Sequence, residues 1–194
     1  MVPFVNISGY GFSGKSTISR ILANRHRTLW RPRITSRPPR PGEVPGNEYL
    51  FATAEEFKCR NSKGEVLHET VHPVFEGGRA YSTGILRPEF WPQPCEKTEL
   101  ILSAFGRAAW QIKRDCAPEM ITFLVKVSDK EELAKRMILR EERVETGVHA
   151  RWDNNTWYEE IGLDADFDHV FYNDSSPEEC VEQIERIAGL LIPR

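Results

Sequence analysis

Val2-Pro3-Phe4-Val5-Asn6-Ile7-Ser8 runs into Gly9-Tyr10-Gly11-Phe12-Ser13-Gly14-Lys15-Ser16 and then into Thr17-Ile18-Ser19-Arg20-Ile21-Leu22-Ala23. The first stretch is a short apolar run and predicts a buried parallel strand. The last has Ile18, Ile21 and Leu22 at helical spacing, so it predicts an amphipathic helix. Between them stands G-x-x-x-x-G-K-S. Strand, glycine-rich loop and helix come in the order that a phosphate-binding loop requires. An accidental glycine-rich turn has no reason to carry that strand before it and that helix after it.

The chemistry of the loop follows from its residue types. Gly9, Gly11 and Gly14 are expected to permit torsions that aim successive N–H groups into one concavity. The N-terminus of the next helix adds its dipole. Lys15 is placed to bridge the β- and γ-phosphates of ATP, and the Ser16 hydroxyl is a ligand for Mg²⁺. Ser13 completes the cradle. Thr17 either helps bind phosphate or caps the helix.

Further along, strands and helices alternate. Glu99–Ala104 reads as a buried strand and Phe105–Arg114 as a helix with Phe105, Ala108, Ala109 and Ile112 on one face. Met120–Val127 is another buried strand. Ser128 and Glu131 form an expected capping box for a helix to about Glu142. A more polar helix is expected over Thr146–Ile161, and a last strand over Phe167–Tyr172. Ser176-Pro177 starts a final helix that buries Val181, Ile184, Ile187, Ala188 and Leu191. Residues 36–49 hold prolines and glycines at turn spacing, and residues 50 to about 94 read as short strands and loops. The pattern predicts an α/β chain built on a P-loop NTPase-type parallel sheet flanked by helices.

Composition narrows the classes. Hydrophobic residues are 40% and charged residues 28% of the 194, a globular and soluble balance. No apolar run approaches the roughly 18 residues of a membrane span. Met1-Val2-Pro3 leads directly into a strand, so no targeting peptide is expected. Cys59, Cys95, Cys116 and Cys180 are far apart. That spacing argues against a zinc site or a disulfide framework and suits a reducing cytoplasm. His26, His72, His149 and His169 show no ligand-like spacing either. Net charge is −3, yet residues 20–40 hold seven arginines and no acid. Such a run implies a phosphate-rich partner, either a small molecule or a polynucleotide.

Ser36-Arg37-Pro38-Pro39-Arg40-Pro41-Gly42-Glu43-Val44-Pro45-Gly46-Asn47-Glu48-Tyr49 resembles the nucleoside-monophosphate-binding segment of guanylate kinases, T-R-x-x-R-x-G-E-x-x-G-x-x-Y. Tyr81-Ser82-Thr83 is similar to that family's Y-G-S/T. The resemblance covers nearly the whole chain. It implies that Arg37, Arg40, Tyr49 and Tyr81, with Thr83 beside them, hold the phosphate of an acceptor nucleotide. Arginines and tyrosine hydroxyls suit a phosphate monoester carrying nearly two charges. Arg136, Arg140 and Arg151 match the family's lid arginines, which would align and neutralise the moving phosphoryl group. The alternative for the lid helix is a surface i, i+4 salt bridge, for which Glu132 is available. Asn173-Asp174 resembles the turn beside the donor adenine, and a plain β-to-α turn is compatible with that role. The implied division is a core of 1–35, 95–135 and 162–194, an acceptor-binding insertion at about 36–94 and a helical lid at about 136–161.

The resemblance breaks at the positions that read the acceptor base. His68 aligns with an acid, with Glu69 one place later. Ser103 or its neighbours replace strand-end aspartates, and Arg33 replaces a serine. The reading is therefore an ATP- and Mg²⁺-dependent kinase whose acceptor is phosphorylated, most naturally a nucleoside monophosphate and not necessarily GMP. A modified base, a pyrimidine nucleotide and a sugar phosphate stay open. So do a kinase acting on nucleic acid and a non-catalytic binding module. The sequence leaves the oligomeric state unknown.

Overall fold

The computed structural model describes residues 5–9, 11–26, 29–40, 42–47, 49–72, 80–87, 100–102, 107–115, 117–141 and 167–190. The chain forms two compact units, one from 1–30 with 97–194 and the other from 31–96.

The first unit is built on a five-stranded sheet. Its strands are β1 (Val5–Gly9), β2 (Leu29–Arg31), β7 (Leu100–Leu102), β8 (Ile121–Lys126) and β9 (His169–Tyr172), in the order β2-β7-β1-β8-β9. β1 pairs in parallel with both β7 and β8, and β8 in parallel with β9. Parallel neighbours need crossover helices, and these cover the sheet. Helix α1 (Lys15–His26) and the last helix, α5 (Pro177–Ile187), pack on one face. There Ile18, Leu22, Val181 and Ile184 join Val5, Ile7, Phe123 and Val125 in one apolar core. On the opposite face Asn6, Ser8, Thr122 and Leu124 are buried as well. Helix α3 (Arg107–Asp115) buries Ala108, Ala109 and Ile112, and α4 (Lys130–Glu141) buries Leu133 and Met137.

Two local expectations change. Ser128 does not cap α4: Glu131 N–H donates to the Asp129 carboxylate at 2.8 Å, and Ser128 N–H donates to Asp174. The cap is one residue later because Ser128 is held by the neighbouring strand exit. On α5 the core positions include Cys180 and Glu185, while Ile187 is 41% exposed. Ser176 does cap this helix, accepting from Glu179 N–H, with Pro177 in the first turn. Glu185 is buried because it accepts from Arg25 and bonds His26 on α1. Thr146–Ile161, Phe105 and Leu191 lie outside the described residues.

The second unit holds a four-stranded sheet of β3 (Arg33–Thr35), β4 (Tyr49–Phe51), β5 (Val66–His72) and β6 (Tyr81–Leu86), in the order β4-β3-β6-β5. It also holds a helix, α2 (Ala54–Ser62), where only strands and loops were expected. Its start is written in the sequence as a capping box. The Thr53 hydroxyl accepts from Glu56 N–H, and the Glu56 carboxylate accepts from Thr53 N–H. Phe57 of α2 packs with Ile34, Val66 and Leu86 to form this unit's core.

That packing sorts the sheet into two faces. Ile34, Leu50, Val66 and Leu86 point toward the core. Residues paired across the ladders share a face, so Arg33 with Tyr49, Thr35 with Phe51 and Thr83, Thr70 with Thr83, and His72 with Tyr81 lie on the other. Between Val66 and Glu69 the register shifts by a bulge. Gly84 permits the close approach there: a Cβ on it would meet Val66 and, at 2.7 Å, the His68 carbonyl.

Candidate active site

The cradle sits where β1 ends and α1 begins, at the carboxyl edge of the parallel sheet. Its turn is made by left-handed residues, but not by all the ones expected. Gly14 has φ 90°, and Phe12, not a glycine, has φ 66°. Gly9 is needed for space instead of torsion. A Cβ on it would collide with Ser13 and lie 2.5 Å from the Val125 carbonyl of β8. Ile18 N–H donates to the Gly14 carbonyl at 3.0 Å, so the helix begins directly under the loop. Ser16 is half-buried and Thr17 exposed at its first turn.

Asn173 braces the loop from behind. It follows β9, and its backbone N–H donates to Lys126. Its side chain is 3% exposed and donates to the Ser13 carbonyl at 2.9 Å. A Cβ on Gly14 would strike the same amide. The sequence placed Asn173 near the donor base or in a turn; the contact with the phosphate loop was not legible there. Ser13 Oγ and Asn173 Oδ1 are buried with no hydrogen-bond partner among the described residues. Unmet polar atoms of this kind are uncommon in folded proteins. Ser16 is the Mg²⁺ candidate of the loop, and no cluster of three metal-ligating side chains exists among the described residues. A single hydroxyl fits Mg²⁺ that takes its other ligands from phosphates and water.

The second unit carries its own polar site. Arg37 is 3% exposed and is gripped by Glu43 through two bonds of 2.6 Å, a fork-to-carboxylate pair. Glu43 also accepts from Arg40 N–H at 2.8 Å, which folds the proline-rich turn around it. The Arg37 guanidinium lies 4.7 Å from the Tyr49 ring centroid and 5.4 Å from that of Phe51. Arg33 lies 4.7 Å from the same Tyr49 ring, and its Nη2 donates to the Tyr49 hydroxyl. Burial opposes the charges of this pair, but their mutual hydrogen bonds outweigh it. Arg37 is held above the usual guanidinium pKa and Glu43 below the usual carboxylate range.

Tyr81 and Thr83 stand on the same face. The Thr83 hydroxyl bonds His72 Nε2 at 3.1 Å, and the His72 ring stacks on Tyr81 with centroids 4.4 Å apart and planes 11° off parallel. Sequence reasoning passed over His72, which had no neighbours at metal-ligand spacing; only the antiparallel register brings it here. Burial, then the charges of Arg33 and Arg37, push its pKa down to about 4. Glu69 does not join this face. Beyond the bulge it turns toward α2, accepting from Asn61 at 2.6 Å and from Ser82. His68, one place earlier, is half-buried and lies within the bulge.

Of the lid arginines, Arg136 makes the i, i+4 pair with Glu132 at 3.0 Å. The Arg140 side chain, Arg151 and Ser103 lie outside the described residues. The basic run is not one exposed stripe: Arg31 and Arg37 are buried, and Arg25 is paired with Glu185.

A glycine-rich cradle at the end of a central parallel strand defines a P-loop nucleotide-binding fold. The known proteins that resemble the chain agree. It is 30% identical over 182 residues to guanylate kinase of Fusobacterium nucleatum subsp. nucleatum, covering 93% of both chains. It is 31% identical over 171 residues to guanylate kinase of Clostridioides difficile, covering 87% of this chain and 78% of the relative. The crystal structure of guanylate kinase from Anaplasma phagocytophilum superposes with a TM-score of 0.68 over 97% of this chain and 85% of that one, at 20% identity. No protein-family model matches the chain. The chain belongs to the guanylate kinase family and is a phosphotransferase of the nucleoside monophosphate kinase type.

Proposed function

We propose that the chain transfers the γ-phosphoryl group of ATP to the phosphate of a nucleoside monophosphate, with weakened discrimination in favour of GMP. The observation that carries the first part is the preformed Arg37–Glu43–Tyr49 cluster in a family member whose phosphate cradle is intact. Lys15 and the loop N–H groups hold the donor phosphates, Ser16 holds Mg²⁺, and Asn173 keeps the loop in shape. When bound, Mg²⁺ neutralises charge on the transferring phosphates. Arg37, Arg40, Tyr49, Tyr81 and Thr83 hold the acceptor phosphate. Arg136, Arg140 and Arg151 close over the moving group.

The second part rests on the residues that face the acceptor. Arg33 presents a guanidinium, and His68 stands where the family resemblance places an acid. Among the described residues the nearby carboxylates are otherwise engaged, Glu43 by Arg37 and Glu69 by Asn61 and Ser82. A site whose described carboxylates are already bonded to protein groups discriminates less well for the donor edge of guanine. A kinase acting on nucleic acid is supported less well, because the basic run is partly buried and partly paired. The test is a coupled ADP assay across nucleoside monophosphates and sugar phosphates, with Lys15→Ala as control. Acceptor-dependent ADP that the control abolishes is expected. No turnover with any acceptor would sink the proposal, and a clear preference for GMP would sink its second part.

A further inference from the structure

We propose that His72 is a positioning residue of this site, holding the Tyr81 ring and the Thr83 hydroxyl toward the face that carries Arg33 and Arg37. The inference rests on the reading of that face as the acceptor-phosphate site. Pairing of β5 with β6 sets His72 directly opposite Tyr81. Their rings lie nearly parallel at 4.4 Å, so Tyr81 is backed by a flat surface and cannot swing toward β5. At the same time His72 Nε2 fixes the orientation of the Thr83 hydroxyl at 3.1 Å. Thr83 is in turn opposite Thr35, whose hydroxyl donates to the Ser82 carbonyl and accepts weakly from Arg37 N–H. One imidazole thus touches both β6 residues of the proposed grip and adjoins the segment that begins Arg37.

The charge environment fits that role. Among the described residues, the charged and titratable groups facing His72 are Arg33 from β3, Arg37 from the turn after it and Tyr81 from β6, with Tyr49 of β4 beyond the two guanidinium groups. Burial and the two guanidinium charges keep the ring neutral at physiological pH. A neutral ring stacks on Tyr81 and bonds Thr83 without repelling Arg33 and Arg37. The site keeps its cations for the incoming phosphate.

Three variants separate positioning from bulk structure. His72→Phe keeps the stack and loses the bond to Thr83. His72→Gln keeps a polar group and loses the ring. His72→Leu loses both. Steady-state kinetics with the best nucleoside monophosphate should show the acceptor KM of His72→Leu raised about tenfold, the size expected for a lost aromatic pair and hydrogen bond together. KM for ATP should not move, and kcat should stay within about twofold. His72→Phe should recover most of the loss and His72→Gln little of it. If His72→Leu does not fold, the Phe and Gln variants carry the comparison. Equal changes in both KM values, no change in either, or Gln performing better than Phe would overturn the proposal. If the wild-type chain turns over no acceptor, the phosphotransfer reading fails instead. Calorimetric titration with nucleoside monophosphates then still reads the His72 effect, and equal affinity for wild type and His72→Leu refutes it.

Discussion

Glu43→Gln probes the clamp on which the proposed acceptor site is built. Three hydrogen bonds converge on the Glu43 carboxylate, two from Arg37 at 2.6 Å and one from Arg40 N–H at 2.8 Å. The amide keeps one acceptor oxygen, so one Arg37 bond is lost and an NH₂ is turned toward another donor. A charge-assisted bond is worth about 1.5–3 kcal/mol. Stranding a fully buried charge costs about 3–5 kcal/mol. The Arg37 side chain is 2% exposed, but that of Glu43 is 16% exposed, so water offsets part of the loss. The net expectation is about 2 kcal/mol, or about 4–8 °C in Tm for a chain of this size. The sign with pH is fixed as well. The Glu43 pKa is lowered on folding, so its contribution is present above the ordinary 4.5 and is lost as pH falls through the lower folded value. Thermal unfolding followed by circular dichroism at pH 7 and at pH 4 gives both numbers. A variant as stable as wild type at pH 7 refutes the clamp. A gap that widens at pH 4 refutes the ionic account of it.

Other perturbations separate the phosphate loop from the proposed acceptor face. Gly9→Ala forces a Cβ against Ser13 and the Val125 carbonyl; urea unfolding should show a loss of about 1–3 kcal/mol, and binding of a fluorescent ATP analogue should disappear. Asn173→Ala removes the bond to the Ser13 carbonyl and should raise KM for ATP about fivefold while leaving the acceptor KM unchanged. His72 has a folded pKa of about 4 against an ordinary 6.5, so the unfolded chain binds more protons between those values. Its share of stability is intact above 6.5 and is lost as pH falls toward 4, by about 3 kcal/mol at the lower end. Unfolding midpoints of His72→Gln measured from pH 7 to pH 4.5 should therefore decline less steeply than those of wild type.

The parallel core was legible because its signals are local. An apolar run, a glycine-rich loop and a helical stripe fix β1, the cradle and α1 without knowledge of the rest. Ser176-Pro177 marked the start of α5 for the same reason. What escaped depends on neighbours distant in sequence. The Ser128 N–H is taken by Asp174, which moves the α4 cap to Asp129. Gly9 matters because Val125 of another strand passes close by. Side-chain alternation in β5 cannot be read through the bulge, so the turn of Glu69 toward α2 appears only once β6 is paired. His72 gains its partners the same way. Helix α2 is the exception, since the capping box of Thr53 and Glu56 is a local signal present in the sequence of residues 50–62.

The central claim is phosphotransfer from this P-loop to a phosphate held by the Arg37 cluster. Its most direct test is the fate of the terminal phosphate of [γ-³²P]ATP, mixed with Mg²⁺ and each nucleoside monophosphate in turn. The account predicts label in a nucleoside diphosphate, lost in Lys15→Ala and strongly reduced in Arg37→Ala. Label that appears only as inorganic phosphate, at a rate no acceptor changes, would contradict it.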